Sequence, residues 1–295
     1  MKYSYFPGCV TPLRENCYEL SARKVLAKLG VELVELQGAS CCGYFLDSVD
    51  HLSASALAAR NLCLSEESGT DMLTLCPTCT GFLTRTKKEL SENSGFNSKI
   101  NEVMAKVNKK VKLSINPKHL TRVLIEDVGL EKIKQTVTRP LSNIKIAPHY
   151  GCHIMRPSDE IKFDNPENPK LLDALIETTG AKTVQYLDKF QCCGAPVMGV
   201  DAKMSLDIAR SKLQNIKESE ADAIVTICPF CHTQFDLNQS KLKEEYGDNF
   251  NIPVLHFTQL LGLAQGFKPE ELGLFENRVL VDGFLAKLKP QEVQA

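Results

Sequence analysis

The sequence predicts an α/β protein built twice over, with two βαβ-type halves that each carry cysteine ligands at the carboxyl ends of a parallel sheet. Three observations predict it. Short apolar runs of strand length alternate with stretches of helical period. Ten of the twelve cysteines fall into two matching sets of five. Each of the ten sits at or just beyond an expected strand end, where open α/β sheets place their ligands.

The elements follow in order. A strand over residues 2–6 runs into Cys9, and the helical stretch with Cys17, Ala22, Val25, Leu26 and Leu29 stops at Gly30. A strand at 31–36 delivers SCCG at 40–43, a helix covers about 51–66, and a strand at 72–75 ends at CPTC. Pro77 then opens the next helix at its first position, where a missing N–H costs nothing. After Pro140 the pattern repeats. A strand at 145–147 leads to Cys152, a helix stops at Gly180, and a strand at 183–187 delivers QCCG. The helix at about 204–218 places Leu206, Ala209, Leu213 and Ile216 on one stripe. A strand at 224–227 ends at CPFC, and another helix follows.

The expected division is 1–140 and 141–295, with a charged, largely solvated helical insert at about 82–113, softened at 91–98. His119-Leu-Thr-Arg-Val-Leu is similar to His256-Phe-Thr-Gln-Leu-Leu, so each half is expected to end in a similar helix. The tail from about 268 is amphipathic and suited to docking on the chain or on a partner.

Composition narrows the function. At 295 residues, 43% hydrophobic and 24% charged, the chain has the make-up of an ordinary globular protein. With 35 basic and 36 acidic residues, nothing suggests a nucleic-acid face or a polybasic membrane patch. No run approaches the ~18 apolar residues of a membrane span. The start, MKYSYFPGC, lacks the layout of a signal peptide. A cytoplasmic protein is expected.

The first set is Cys9, Cys41, Cys42, Cys76 and Cys79; the second is Cys152, Cys192, Cys193, Cys228 and Cys231. Gaps of 32, 1, 34 and 3 match gaps of 40, 1, 35 and 3, and FPGC, SCCG and TLCPTC match HYGC, QCCG and TICPFC. Cys17 and Cys63 have no counterpart, since Glu160 and Asn215 stand there, and read as buried apolar thiols. One zinc ion takes four ligands, usually from paired knuckles. Adjacent cysteines more easily reach different metals of a cluster than one ion. A cubane cluster usually uses a close CxxCxxC run, which this chain lacks. Five ligands at these spacings suit a polynuclear cluster of unusual shape. A lone CPxC would also fit a thioredoxin-type dithiol, but two copies, each with its own CCG and upstream cysteine, argue against that.

A lone cysteine, then CCG, then CPxC, in duplicate, resembles the cysteine-rich CCG domain family, and the chain as a whole is similar to the heterodisulfide reductase B-subunit family. AARNLCLSEE at 58–67, HYGCH at 149–153 and NIPVLHFTQLLGLA at 251–264 carry the resemblance along the chain. The resemblance implies two non-cubane [4Fe-4S] clusters, each held by one five-cysteine set. It implies reduction of the coenzyme M–coenzyme B mixed disulfide of methanogenesis. Electrons would come from the cubane-bearing, ferredoxin-like C-subunit of heterodisulfide reductase and through it from the flavin-bearing A-subunit, with a hydrogenase or formate dehydrogenase behind them. The loops 44–48 and 195–199 would border the substrate.

The two halves differ in histidine. His149, His153 and His232 flank the second set where the first has Phe6, Val10 and Thr80, and they are the candidate catalytic residues. A disulfide needs two electrons and up to two protons, and a histidine can supply protons near neutral pH. A histidine can equally hydrogen-bond a cluster and tune it, so His153 stands as the first candidate for proton delivery, ahead of the other two. Arg14, Arg60 and Arg156 are weaker candidates for pairing an anionic substrate group. Two other readings stay open: an electron-relay component of another dehydrogenase or reductase, and one redox cluster beside one structural zinc.

Overall fold

The computed structural model describes residues 1–288. It contains two four-stranded sheets, both entirely parallel. The first is built from β1 (Lys2–Phe6), β2 (Glu32–Glu35), β3 (Met72–Thr74) and β4 (Pro117–His119) in the order β2-β1-β3-β4. The second repeats it with β5 (Lys145–His149), β6 (Lys182–Thr183), β7 (Ala223–Thr226) and β8 (Val254–His256) in the order β6-β5-β7-β8. Parallel neighbours need crossovers, and helices Asn16–Lys28, His51–Ser68, Leu171–Thr178 and Ala202–Glu218 lie in those connections. In each sheet the chain reverses its direction of travel between the first and third strands. That is the switch point beside which open sheets hold ligands.

Four details differ from the sequence expectation. Each sheet gains a fourth strand, β4 or β8, three residues long and on an edge, where Pro117 is tolerated. Each fourth strand ends in a histidine, His119 or His256, that opens the following helix. β6 is only two residues, because the chain leaves the sheet as Tyr186 turns to donate its hydroxyl to the Pro148 carbonyl (2.9 Å). The helix opened by CPTC runs through Phe82 to Glu92, so the segment peculiar to the first half starts near Asn93 with helix Ser94–Ala105. It is not merely solvated. Ile100, Met104 and Val111 bury against Ala59, Cys63 and Leu90, which also places Cys63 in an apolar cluster.

One large apolar core runs through both halves, joining Tyr18 and Leu26 to Ile227, Leu260 and Leu261. Helix Phe257–Ala264 of the second half packs on helix Asn16–Lys28 of the first, with Ser21 and Thr258 hydroxyls paired at 2.7 Å. The tail docks on the chain itself: Leu272 lies against Gly262, and Leu274, Val281 and Phe284 are buried. Its last residues, 289–295, lie outside the described residues.

A buried polar clamp crosses between the halves. The Glu15 carboxylate lies 2.8 Å from His232 Nδ1 and 3.1 Å from His256 Nε2, and accepts from the Thr233 hydroxyl. His232 Nε2 is 3.1 Å from the Val254 carbonyl, so each of its ring nitrogens lies beside an oxygen, of Val254 or of Glu15. His256 stacks between Tyr18 and His232 with ring centroids at 3.8 and 4.1 Å. Burial would push Glu15 up, but the two imidazoles hold it well below the carboxylate range. Burial would pull His232 down, but Glu15 holds it up. Cys17 Sγ sits 3.9 Å from Glu15, in this clamp and away from the two cysteine sets.

Candidate metal centre

Cys9, Cys76, Cys152 and Cys228 follow closely on strand ends, whereas the adjacent pairs lie further out in the loops after β2 and β6. β1 ends at Phe6, and Gly8 (φ 70°) turns the chain into Cys9; a Cβ on Gly8 would lie 3.4 Å from the Cys79 sulfur. The adjacent pairs are set by their glycines. Gly43 (φ 99°) and Gly194 (φ 85°) occupy left-handed conformations under the following helix. A Cβ there would come within 2.3 Å of the Ala54 carbonyl oxygen or 2.9 Å of the Ser205 carbonyl oxygen. The same turns aim Gly43 N–H at Cys41 Sγ (3.5 Å) and Gly194 N–H at Cys192 Sγ (3.4 Å). Cys76 and Cys228 are the N-cap residues of helices Pro77–Glu92 and Pro229–Tyr246, so the positive helix ends favour thiolate.

These turns gather the sulfurs. In the first set Cys9, Cys41, Cys42, Cys79 and Cys76 contact one another in that sequence. In the second set Cys152, Cys192, Cys193, Cys231 and Cys228 do the same. Cys76 also reaches Cys228, so the two sets meet at the first turns of the two CPxC helices. Thiol donors and the glycine N–H hold Cys41 and Cys192 far below the usual thiol range, while those same neighbours, and then burial, push Cys9 and Cys152 up. His149 is buried with neither ring nitrogen partnered, and its donor atom lies within 4.8 Å of the sulfurs of Cys193 and Cys231. Five convergent sulfurs per set, backbone N–H groups aimed at them and an unspent imidazole beside one set fit a sulfur-ligated polynuclear cluster better than a single ion.

A cavity of about 450 Å³ opens between the halves. Cys152, Cys193, Cys228 and Cys231 line it, with Tyr44 and Phe45 from the first half and Phe230 and Met198 from the second. Beside Cys9, Cys42, Cys76 and Cys79 there is a space of only about 10 Å³, and Tyr44, Phe45, Thr78 and Phe230 wall both spaces.

Of the three candidate histidines, two stand at the second set. His153 lines the cavity, with Nε2 3.4 Å from the Tyr44 hydroxyl and the rings edge-on at 5.1 Å. Burial pulls its pKa down, partly offset by the charges of Cys76 and Cys192. His149 lies behind the sulfurs. His232 does not face them; the helix turns it away, onto Glu15. None of the three candidate arginines lines the cavity: Arg60 donates to the Gly38 carbonyl (2.7 Å), and Arg14 borders the space beside Glu15.

Sequence reasoning placed Tyr44 in a loop bordering the substrate without giving it a role of its own, and it passed over Lys212, a buried lysine on helix Ala202–Glu218. Tyr44 carried a signal, because an aromatic follows the first CCG where Ala195 follows the second. Lys212 had one too, in the register of its helix.

The model of the CCG cysteine-rich domain family matches twice, over residues 3–84 and 146–236. The chain is 42% identical over 292 residues to the B-subunit of a ferredoxin/F(420)H(2)-dependent CoB-CoM heterodisulfide reductase of Methanosarcina acetivorans, covering 97% of each chain. It is 34% identical to an 8-methylmenaquinol:fumarate reductase membrane anchor subunit of Wolinella succinogenes, covering 94% of this chain and 96% of that one. A crystal structure of a hypothetical protein from Helicobacter pylori shares the fold, with a TM-score of 0.75 at 19% identity. The match covers 94% of this chain and 52% of that one.

Proposed function

The chain belongs to the duplicated CCG cysteine-rich domain family and to the heterodisulfide reductase B-subunit lineage within it, and from that premise we propose that it is the disulfide-reducing component of a multi-subunit oxidoreductase. Its substrate is the coenzyme M–coenzyme B mixed disulfide. The observation that carries this reading is the apolar-walled cavity between the halves, which opens onto four sulfurs of the second set while the first set lies directly behind a shared wall. Cys9, Cys41, Cys42, Cys76 and Cys79 hold one non-cubane [4Fe-4S] cluster; Cys152, Cys192, Cys193, Cys228 and Cys231 hold the other. When bound, each supplies one of the two electrons that a disulfide requires. The donor is a ferredoxin-like C-subunit, fed by a flavin-bearing A-subunit. Among the described residues no helix is long and apolar enough to cross a membrane.

The chain's own side chains do the rest. Tyr44, Phe45, Phe230 and Met198 exclude water and hold an extended substrate with its sulfurs over the cysteine wall. Burial keeps His153 neutral at rest, so it takes up the proton it delivers only as negative charge develops beside it. Burial and the Cys152 charge hold the Tyr44 phenol above its ordinary range, so it stays a hydroxyl and orients the imidazole. His153→Ala should slow disulfide reduction on the order of 10²-fold with iron content unchanged; unchanged turnover would remove the role.

A relay reading, in which both centres pass electrons to a partner's active site, is favoured by the relative named as a fumarate reductase subunit. The isolated, chemically reduced chain decides between the two. Turnover of the mixed disulfide supports the reductase; none, with both centres reduced, supports the relay.

A further inference from the structure

The two cysteine sets are framed alike, but one buried position carries different charge. Nineteen residues after Cys42 stands Asn61, and nineteen after Cys193 stands Lys212, each on the inner face of the helix that follows its CCG. Both are fully buried. Asn61 holds its CCG loop with a neutral amide, donating to the carbonyls of Ser40 (3.3 Å) and Cys41 (3.1 Å) and accepting from Ser40 N–H (2.9 Å). Lys212 does the same with an ammonium, donating to the Asp188 carbonyl ahead of the second CCG. The Asp188 carboxylate stands 3.9 Å away, with that oxygen buried and otherwise unpartnered, so the ammonium has one buried acid beside it as well as the cysteines. Burial pulls the Lys212 pKa down, opposed by the charge of Asp188 and then by those of Cys193, Cys231 and Cys192.

A second difference adds to the first. Three residues before Cys152 stands His149; three before Cys9 stands Phe6. Both His149 nitrogens lack protein partners and one lies among the sulfurs of Cys193 and Cys231, whereas Phe6 offers the first set no donor. His119, near Cys76, makes no comparable contribution: its nitrogens are spent on the Thr121 hydroxyl (2.8 Å) and the Ile227 carbonyl (3.1 Å).

Positive charge and N–H donors beside sulfur ligands stabilise the reduced form of an iron–sulfur centre. We propose that Lys212 and His149 are positioning residues that set the reduction potential of the second centre above that of the first, so that electrons entering the chain settle beside the cavity. This rests on the reading that each set holds one iron–sulfur cluster.

The test is an anaerobic redox titration of the iron-loaded chain, followed by electron paramagnetic resonance, with iron counted on each sample. Two one-electron couples are expected. Lys212→Met should lower the upper couple by at least the equivalent of a tenfold change in its equilibrium constant, which is about 59 mV for one electron, and leave the lower couple in place. His149→Phe, which installs the first-half residue, should move the same couple in the same direction and guards against a Lys212 variant that fails to fold. Full iron with an unmoved upper couple, or a shift of the lower couple instead, overturns the proposal alone. Iron in only one set overturns it together with the reading beneath it.

Discussion

The loops that follow the two CCG motifs have one backbone and two jobs. Each starts at a left-handed glycine, makes a single 3₁₀ turn (Tyr44–Leu46 or Ala195–Val197) and ends at an aspartate, Asp50 or Asp201, that caps the next helix. Their side chains differ in size. Tyr44 and Phe45 fill the first site and reach across to wall the second, while Ala195 and Pro196 leave the second site open. A space of about 10 Å³ holds no more than a water, whereas about 450 Å³ holds a small-molecule ligand. The duplication therefore supplies two equivalent frames, and a few side chains decide which frame meets a substrate.

The largest effect is expected where the halves are clamped. Glu15→Gln removes the negative partner of two buried imidazoles, and breaking such a pair costs about 3–5 kcal/mol. The sign with pH follows from both partners. Glu15 is held below its ordinary 4.5, so its contribution is complete above that pH and fades as pH falls further. His232 is held above its ordinary 6.5, so its contribution is complete below that pH and fades as pH rises through its folded value. The clamp contributes fully between about pH 4.5 and 6.5. Thermal midpoints across pH should show the acid limb flattened in Glu15→Gln; an identical profile would mean the clamp does not join the halves energetically.

Next comes the asymmetry of the loops. Ala195→Tyr gives the second loop the residue of the first and should close the cavity, lowering disulfide turnover roughly 10²-fold, the scale of an ångström-level misplacement, at constant iron. Retained turnover would show that the substrate enters elsewhere. The smallest effect separates the glycine turns. Gly43→Ala and Gly194→Ala both force a side chain into a left-handed conformation, costing on the order of 1–3 kcal/mol. The approach of 2.3 Å against 2.9 Å predicts the lower thermal midpoint for Gly43→Ala. The reverse order would mean that the helix over Gly43 yields more easily than the one over Gly194.

Much of this was legible in the residues. The repeated spacing of ten cysteines marked the ends of β1, β3, β5 and β7, though not of β6, and parallel sheets followed from the alternation. β4 and β8 were not legible, because three-residue edge strands such as Pro117–His119 show no period and, unlike the equally short β3, have no cysteine motif to mark their ends. The direction of His232 was not legible either. It follows Cys231 directly, but the next residue on a helix points about 100° away, and its partner Glu15 is more than two hundred residues distant in the chain. Long-range polar pairs leave no local pattern. The Lys212–Asn61 difference is legible only once the two helices are placed in common register from their CCG motifs.

The central claim is that two equivalent five-sulfur frames each hold a redox cluster. Iron, acid-labile sulfide and zinc counted per chain, in protein prepared without oxygen, test it most directly. About eight irons and eight sulfides with no zinc is the predicted result. About four irons with one zinc would contradict it, because a single redox centre could not divide the two electrons of a disulfide between the halves.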